Sequence, residues 1–279
     1  MQINNFVVNV KSLSERFFIE PLGDLHIGNK GSDKDKLIER IKYIENDSKR
    51  FTIIMGDLAD CITVSDKRFD VKTYDPFLEE PDKQYGYVID ALRPIQNKII
   101  GIHTGNHDET LRKKMALQLR ASSMSEDYIA EESDWVQKVC RELNSPYLGL
   151  SAFTRLTFKD INGQVVQFKI YSTHGSVAGG RTGNTINKLE DMIKFFSADI
   201  YLMGHTHKFA TDKQIYLDIS QRGRKLRKRT RVLGSTGGFL DGYKENETSY
   251  VESRNLQPSR TGTITVSIKP DQRSLSIHS

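Results

Sequence analysis

Residues able to bind cations or carry protons recur in five short clusters. They are Gly23-Asp24-Leu25-His26-Ile27-Gly28, Gly56-Asp57-Leu58-Ala59-Asp60, Gly105-Asn106-His107-Asp108, Thr173-His174-Gly175 and Gly204-His205-Thr206-His207. Five of the seven histidines in the 279-residue chain fall inside them. Carboxylate and amide oxygens mixed with imidazole nitrogens suit divalent ions of intermediate softness, Mn first, with Fe and Zn as alternatives; an all-oxygen set would favour Mg or Ca. Asp24, His26, Asp57, Asn106, His174, His205 and His207 exceed the roughly three protein ligands that one catalytic ion takes. The surplus points to two divalent ions about 3.5 to 4 Å apart, sharing a carboxylate. Any one of these residues could instead cap a helix or close a turn. The repetition is what argues for chemistry.

Each cluster follows an apolar run, so the fold must bring strand ends together. Residues 16–22, 51–55 and 98–103 read as strands, and 33–47 and 85–92 as amphipathic helices between them. Strand and helix in alternation imply parallel pairing, and parallel strands present their carboxyl ends along one edge. Residues 109–143 read as helical with a break near 122–125. Residues 153–172 carry a hairpin signal around Asn162-Gly163. A helix at 184–196 and a strand at 199–203 precede the last cluster. Short β segments follow at 214–219, 230–233, 261–269 and 274–278. The chain reads as one domain, 1–279, with an irregular surface insertion at about 64–84 and a basic β segment at about 222–231.

The order DxH, GDxxD, GNHD, HG and GHxH, complete over residues 23–207, resembles the calcineurin-like metallophosphoesterase superfamily. That resemblance implies an α/β fold: a four-layer α/β/β/α sandwich of two mixed sheets with a dinuclear metal site at one end. It implies one ion bound by Asp24, His26 and His207, a second by Asn106, His174 and His205, and Asp57 bridging them. The implied activity is metal-dependent hydrolysis of phosphodiesters by a metal-bridged hydroxide. His107 would face the substrate and protonate the leaving oxygen, with Asp60 orienting its ring. The first motif, DLHIG, is similar to the DxHLG form of the double-strand-break repair exonucleases. The stretch after residue 207 leaves little room for the added DNA-binding domain of that branch.

Charge sharpens the choice of substrate. Of 41 basic residues, seven lie between Arg222 and Arg231 (RGRKLRKRTR), leaving 34 against 36 acidic ones elsewhere. On a strand, Arg227, Arg229 and Arg231 would share one face at about 6.6 Å spacing, suited to a polyanion backbone. Arg181, after a glycine-rich stretch, could fork onto a phosphate. These features favour a nuclease on DNA or RNA; the alternatives are a phosphatase or phosphodiesterase for a small substrate and a nonenzymatic scaffold. No apolar run reaches the roughly 18 residues that span a bilayer. Cys61 and Cys140 show no CxxC spacing, which fits a reducing, cytoplasmic setting. His103, inside an apolar strand, reads as a core histidine, and Asp108 as a helix N-cap.

Overall fold

The computed structural model describes all residues except 64, 65, 67, 68, 79, 177–181, 220–222, 224, 244, 246–248, 254 and 256. In chain order its elements are β1 (Gln2–Val10), β2 (Phe17–Ile19), α1 (Lys34–Glu45), β3 (Arg50–Ile54), α2 (Pro81–Leu92), β4 (Ile99–His103), α3 (Asn106–Ala121), α4 (Glu126–Ser133) and α5 (Trp135–Glu142). There follow β5 (Tyr147–Gly149), β6 (Ser151–Asp160), β7 (Val165–Thr173), α6 (Thr182–Phe195), β8 (Ile200–Met203), β9 (Phe209–Ile219), β10 (Leu226–Thr236), β11 (Thr265–Lys269) and β12 (Ser274–His278).

Local chemistry explains most of these. In α1, Leu37, Ile41 and Ile44 form one buried stripe, and Asp33 caps the helix by accepting the Lys36 amide at 3.0 Å. Strands β3 and β4 are buried at every position and show no alternation, being mostly apolar with Arg50, Thr52 and His103 buried among the isoleucines. The β6–β7 turn closes where the Asp160 carboxylate accepts the amides of Asn162 and Gln164 and Gly163 adopts φ 78°.

Two six-stranded mixed sheets lie face to face, in the orders β1-β6-β7-β8-β10-β9 and β12-β11-β2-β3-β4-β5. Ile19, Ile53 and Ile100 of the second sheet pack against Phe158, Phe168 and Val232 of the first to form the central core. Helices α1, α2 and α5 cover the outer face of the second sheet through Leu37, Val88 and Val139. Helix α6 covers the first through Leu189 and Met192 against Tyr171 and Tyr201. The result is the expected α/β/β/α sandwich. Each buried Leu, Ile or Phe contributes about 1.5 to 3 kcal/mol.

Four elements depart from the expectation. Strand β1 pairs in parallel with β6 at a sheet edge, and its apolar residues on both faces, broken by Asn4, Asn5 and Asn9, hide any alternation. Strands β9 and β10 are longer than the sequence predicts and form one extended antiparallel pair. Helix α3 starts at Asn106, earlier than expected. The described part of 64–84 folds back onto the loop after β2: the Asp75 amide donates to the Gly28 carbonyl at 2.8 Å, the Lys30 amide donates to Thr73 at 2.9 Å, and Asp75 and Gln84 are buried. No helix among the described residues is long and apolar enough to cross a membrane.

Candidate metal centre

Strands β2, β3 and β4 run parallel in one sheet, β7 and β8 run parallel in the other, and all five carboxyl ends meet at one edge of the sandwich. Asp24 and His26 follow β2, Asp57 and Asp60 follow β3, Asn106 and His107 open α3 after β4, His174 follows β7, and His205 and His207 follow β8. The first two loops are zipped together: the Asp24 amide donates to Gly56 at 2.9 Å and the His26 amide to Asp57 at 3.1 Å. Asp24, His26, Asp57, His205 and His207 all adopt left-handed backbone, with φ of 52°, 47°, 49°, 68° and 52°. For residues with a Cβ this costs about 1 to 2 kcal/mol each, and such strain clusters at functional sites.

The side chains assemble in two groups. His26 Nε2 faces His207 Nε2 at 3.2 Å, and His207 Nε2 lies 3.4 Å from Asp24 Oδ1. Asn106 Oδ1 lies 3.0 Å from His174 Nε2 and 2.7 Å from His205 Nδ1. One oxygen of Asp57, Oδ2, faces both groups, 3.4 Å from His174 Nε2 and 3.8 Å from His26 Nε2. All seven residues singled out from the sequence as ligands are therefore brought together. Asp24, His26 and His207 can offer atoms within 4.8 Å of one another, and so can Asp57, His174 and His205.

The donor set fits divalent cations. His174 donates from Nδ1 to the Met55 carbonyl at 2.8 Å, and His26 from Nδ1 to the Asp60 carboxylate at 3.2 Å. Each bond turns Nε2 inward, the arrangement by which outer partners aim a metal-binding imidazole. Charge is concentrated here out of water. Burial alone would lower the His174 imidazole, yet Asp57 and Asp24 hold it up at about 10. Burial likewise opposes the His26 charge, but Asp60 and Asp57 raise it to about 9. Burial and the charge of Asp57 raise Asp24 to about 7 despite His174 and His26. Asp57 stays well below the carboxylate range because the histidines around it outweigh its burial. His205 and His207 shift the other way, lowered by burial and by the neighbouring histidines, so the positive charge is favoured on His26 and His174 beside Asp57, where a bound cation would replace it.

His107 stands beside this group with its ring 15% exposed. Its amide donates to Asp57 Oδ1 at 2.8 Å and its Nδ1 to the Asp60 main-chain carbonyl at 2.6 Å. Asp60, the residue expected to orient the His107 ring, holds it through its main-chain carbonyl; its carboxylate accepts from His26 and Asn29 Nδ2 (3.3 Å) and lies 3.7 Å from His107 Nδ1.

Arg227, Arg229 and Arg231 are not brought to the centre. Thr236, Gly237 and Gly238 return to it, Gly238 lying against Asp24 and His207, but Arg227 and Arg229 sit in the opposite half of β10 and Arg231 at its middle. At about 3.3 Å per residue they lie roughly 16 to 30 Å from Thr236 along the strand. Arg181 lies outside the described residues. His103 is fully buried between Gly149 O and Ser172 Oγ, both at 2.8 Å, and burial lowers it to about 4, so it is a neutral core residue. Asp108 sits in the first turn of α3, accepting the Gly105 amide at 2.8 Å and the Tyr85 hydroxyl at 2.7 Å. Cys61 is buried beneath Tyr85, and burial and nearby Asp108 push its thiol well up, which makes it unreactive.

Sequence reasoning missed Asn29, Tyr85 and the role of Gly105. The signal for Gly105 was present in the third motif: a Cβ there would collide with Asp57, so only glycine lets β4 end this close.

Among solved structures, a metallophosphoesterase from Sphaerobacter thermophilus is 13% identical, with 94% of this chain and 87% of that chain covered and a TM-score of 0.38. No curated protein matches the chain. The calcineurin-like phosphoesterase family matches residues 22–209, a span containing all five clusters. It is a class of dinuclear divalent-metal hydrolases acting on phosphoester bonds, and the chain belongs to it.

Proposed function

We propose that this chain is a phosphodiesterase with nucleic acid as its substrate class and Mn2+ as its ion. The observation that carries the reading is the anchoring of His107. With Nδ1–H held by the Asp60 carbonyl, Nε2 is the ring atom left to face a substrate, and as an imidazolium it donates a proton there. Departure of a sugar alkoxide requires such a proton, which contributes about 10²- to 10⁴-fold. When bound, the two cations supply Lewis acidity, lowering the pKa of water and neutralising phosphoryl oxygens. Asp24, His26 and His207 would hold one ion, Asn106, His174 and His205 the other, and Asp57 both. The mixed nitrogen and oxygen donors support Mn2+. Lys208, next to His207 in the chain, and Arg260, 4.4 Å over the ring of Phe209, add positive charge to the segment that follows His207. That supports a substrate carrying charge beyond the scissile group, as does the form of the first motif.

The test is hydrolysis by the Mn2+-loaded protein of bis-p-nitrophenyl phosphate, p-nitrophenyl phosphate, single-stranded DNA, duplex DNA and RNA over a salt series. Diester cleavage should exceed monoester cleavage, and at least one nucleic acid should be cut, less well as salt rises. A preference for the monoester overturns the proposal.

A further inference from the structure

The basic strand has a different neighbourhood from the one its sequence suggested. Arg227 and Arg229 line a depression of about 600 Å³ with Arg155, Lys169, Arg273, Tyr216, Asp199 and Asp218. It lies on the outer face of the first sheet, since Arg155 and Lys169 alternate in step with Phe153 and Tyr171, which face α6. The stacked Tyr171 and Phe196 rings, 4.0 Å apart, stand between it and the metal centre. Lys169 is five residues before His174, about 16 Å at strand rise.

Five cations face two carboxylates there, and both carboxylates are engaged. Asp218 pairs with Arg229 at 2.6 Å, and Asp199 accepts the Lys169 amide at 2.8 Å. Arg273 donates from Nη2 to the Gln167 carbonyl at 2.9 Å, which holds its guanidinium at the rim. Arg155 and Lys169 are directly opposite across the antiparallel β6–β7 pair. Like charges in that position destabilise a sheet. Two exposed cations held side by side in a concave, net positive site call for an anion between them.

We propose that this depression binds a ligand carrying two or more adjacent phosphate groups, at a site separate from the metal centre and independent of the nuclease reading. Its volume exceeds one phosphate and falls in the range of small-ligand sites. Arg155, Lys169 and Arg227 contact the phosphoryl oxygens, and the Tyr216 ring offers a stacking wall. The phosphates belong either to a free oligophosphate or to a polynucleotide backbone.

The probes are sodium tripolyphosphate and a thymidine 12-mer, titrated calorimetrically into the full chain in chelator. Tripolyphosphate binds, the Arg155→Gln/Lys169→Gln pair weakens it at least about tenfold, and His207→Gln leaves it within about twofold. Absence of binding overturns the proposal, as does a double variant that binds like the parent, or loss in His207→Gln alone. A 12-mer that displaces tripolyphosphate at lower concentration, sensitive to the same double variant, identifies the backbone as the source; failure to displace identifies the free oligophosphate. Without ligand, Arg155→Gln alone should raise Tm by about 1 to 3 °C by removing the repulsion. A fall in Tm overturns the argument from the opposed pair.

Discussion

Gly105→Ala tests how tightly the fold fixes the carboxylate shared between the two ligand groups. A Cβ built on Gly105 falls 2.7 Å from Asp57 Cγ and closer still to Asp57 Oδ1 and its amide. Carbon atoms prefer about 3.5 Å, so the Asp57 carboxylate must retreat by about 1 Å. Retreat is obstructed, because Asp57 is buried, holds the His107 amide at 2.8 Å and lies in the left-handed region at φ 49°. Misplacement by about 1 Å at a reacting centre costs about 10²-fold in rate, or roughly 2.7 kcal/mol of barrier. Overpacking should lower folding stability by about 1 to 3 kcal/mol. Gly86→Ala is the control: a Cβ there meets nothing within 4 Å, and in the interior of α2 it should add about 1 kcal/mol of stability with rate unchanged. The assay is kcat for bis-p-nitrophenyl phosphate at saturating Mn2+, with metal affinity from calorimetry and stability from urea unfolding. Gly105→Ala retaining kcat within about threefold, where about 10²-fold is expected, would refute the claim that the site depends on this approach.

Three further outcomes follow from the same geometry. Asp60→Asn removes the carboxylate that accepts from His26 but keeps the carbonyl that holds His107, so Mn2+ affinity should fall about 10- to 100-fold while kcat for a dinucleotide at saturating metal changes little; a large loss of dinucleotide kcat at saturation would restore the carboxylate to His107. His107→Ala should slow cleavage of dinucleotides about 10²-fold or more and leave p-nitrophenolate release nearly intact, because only the alkoxide needs its proton; equal losses on both substrates would remove His107 as the acid. His103 ionises near 6.5 when unfolded and at about 4 in the fold, so its contribution is complete above pH 6.5 and is lost as pH falls towards 4. That loss amounts to about 3 kcal/mol, and His103→Gln should flatten the pH dependence of urea unfolding by that much; parallel curves for parent and variant would contradict its burial as a neutral ring.

The ligand residues and the strand–helix order around them could be read from the chain because both are local. Metal binding demands particular side-chain types, and a strand announces itself before each cluster, as a mostly apolar run in Phe51–Met55 before Asp57 and as an alternating one in Val165–Thr173 before His174. Strand β1 escaped notice because an edge strand with apolar residues on both faces has no period to detect.

Tertiary structure alone decided how those residues are used. The acceptors that aim His174 and His107 are main-chain carbonyls of Met55 and Asp60, which have no side-chain signature. That Asp57 Oδ2 faces both ligand groups depends on two sheets meeting, a contact between residues far apart in the chain. Strand direction settled the fate of the basic segment. Because β10 runs parallel to β8, its basic residues enter at the end of the sheet remote from the metals, whatever their distance from His207 in sequence. Register then set Arg155 opposite Lys169 and turned a run of charge into one wall of a second, anion-seeking site. Side-chain chemistry is written residue by residue, whereas direction and register are properties of pairs of strands, and only the folded pairs contain them.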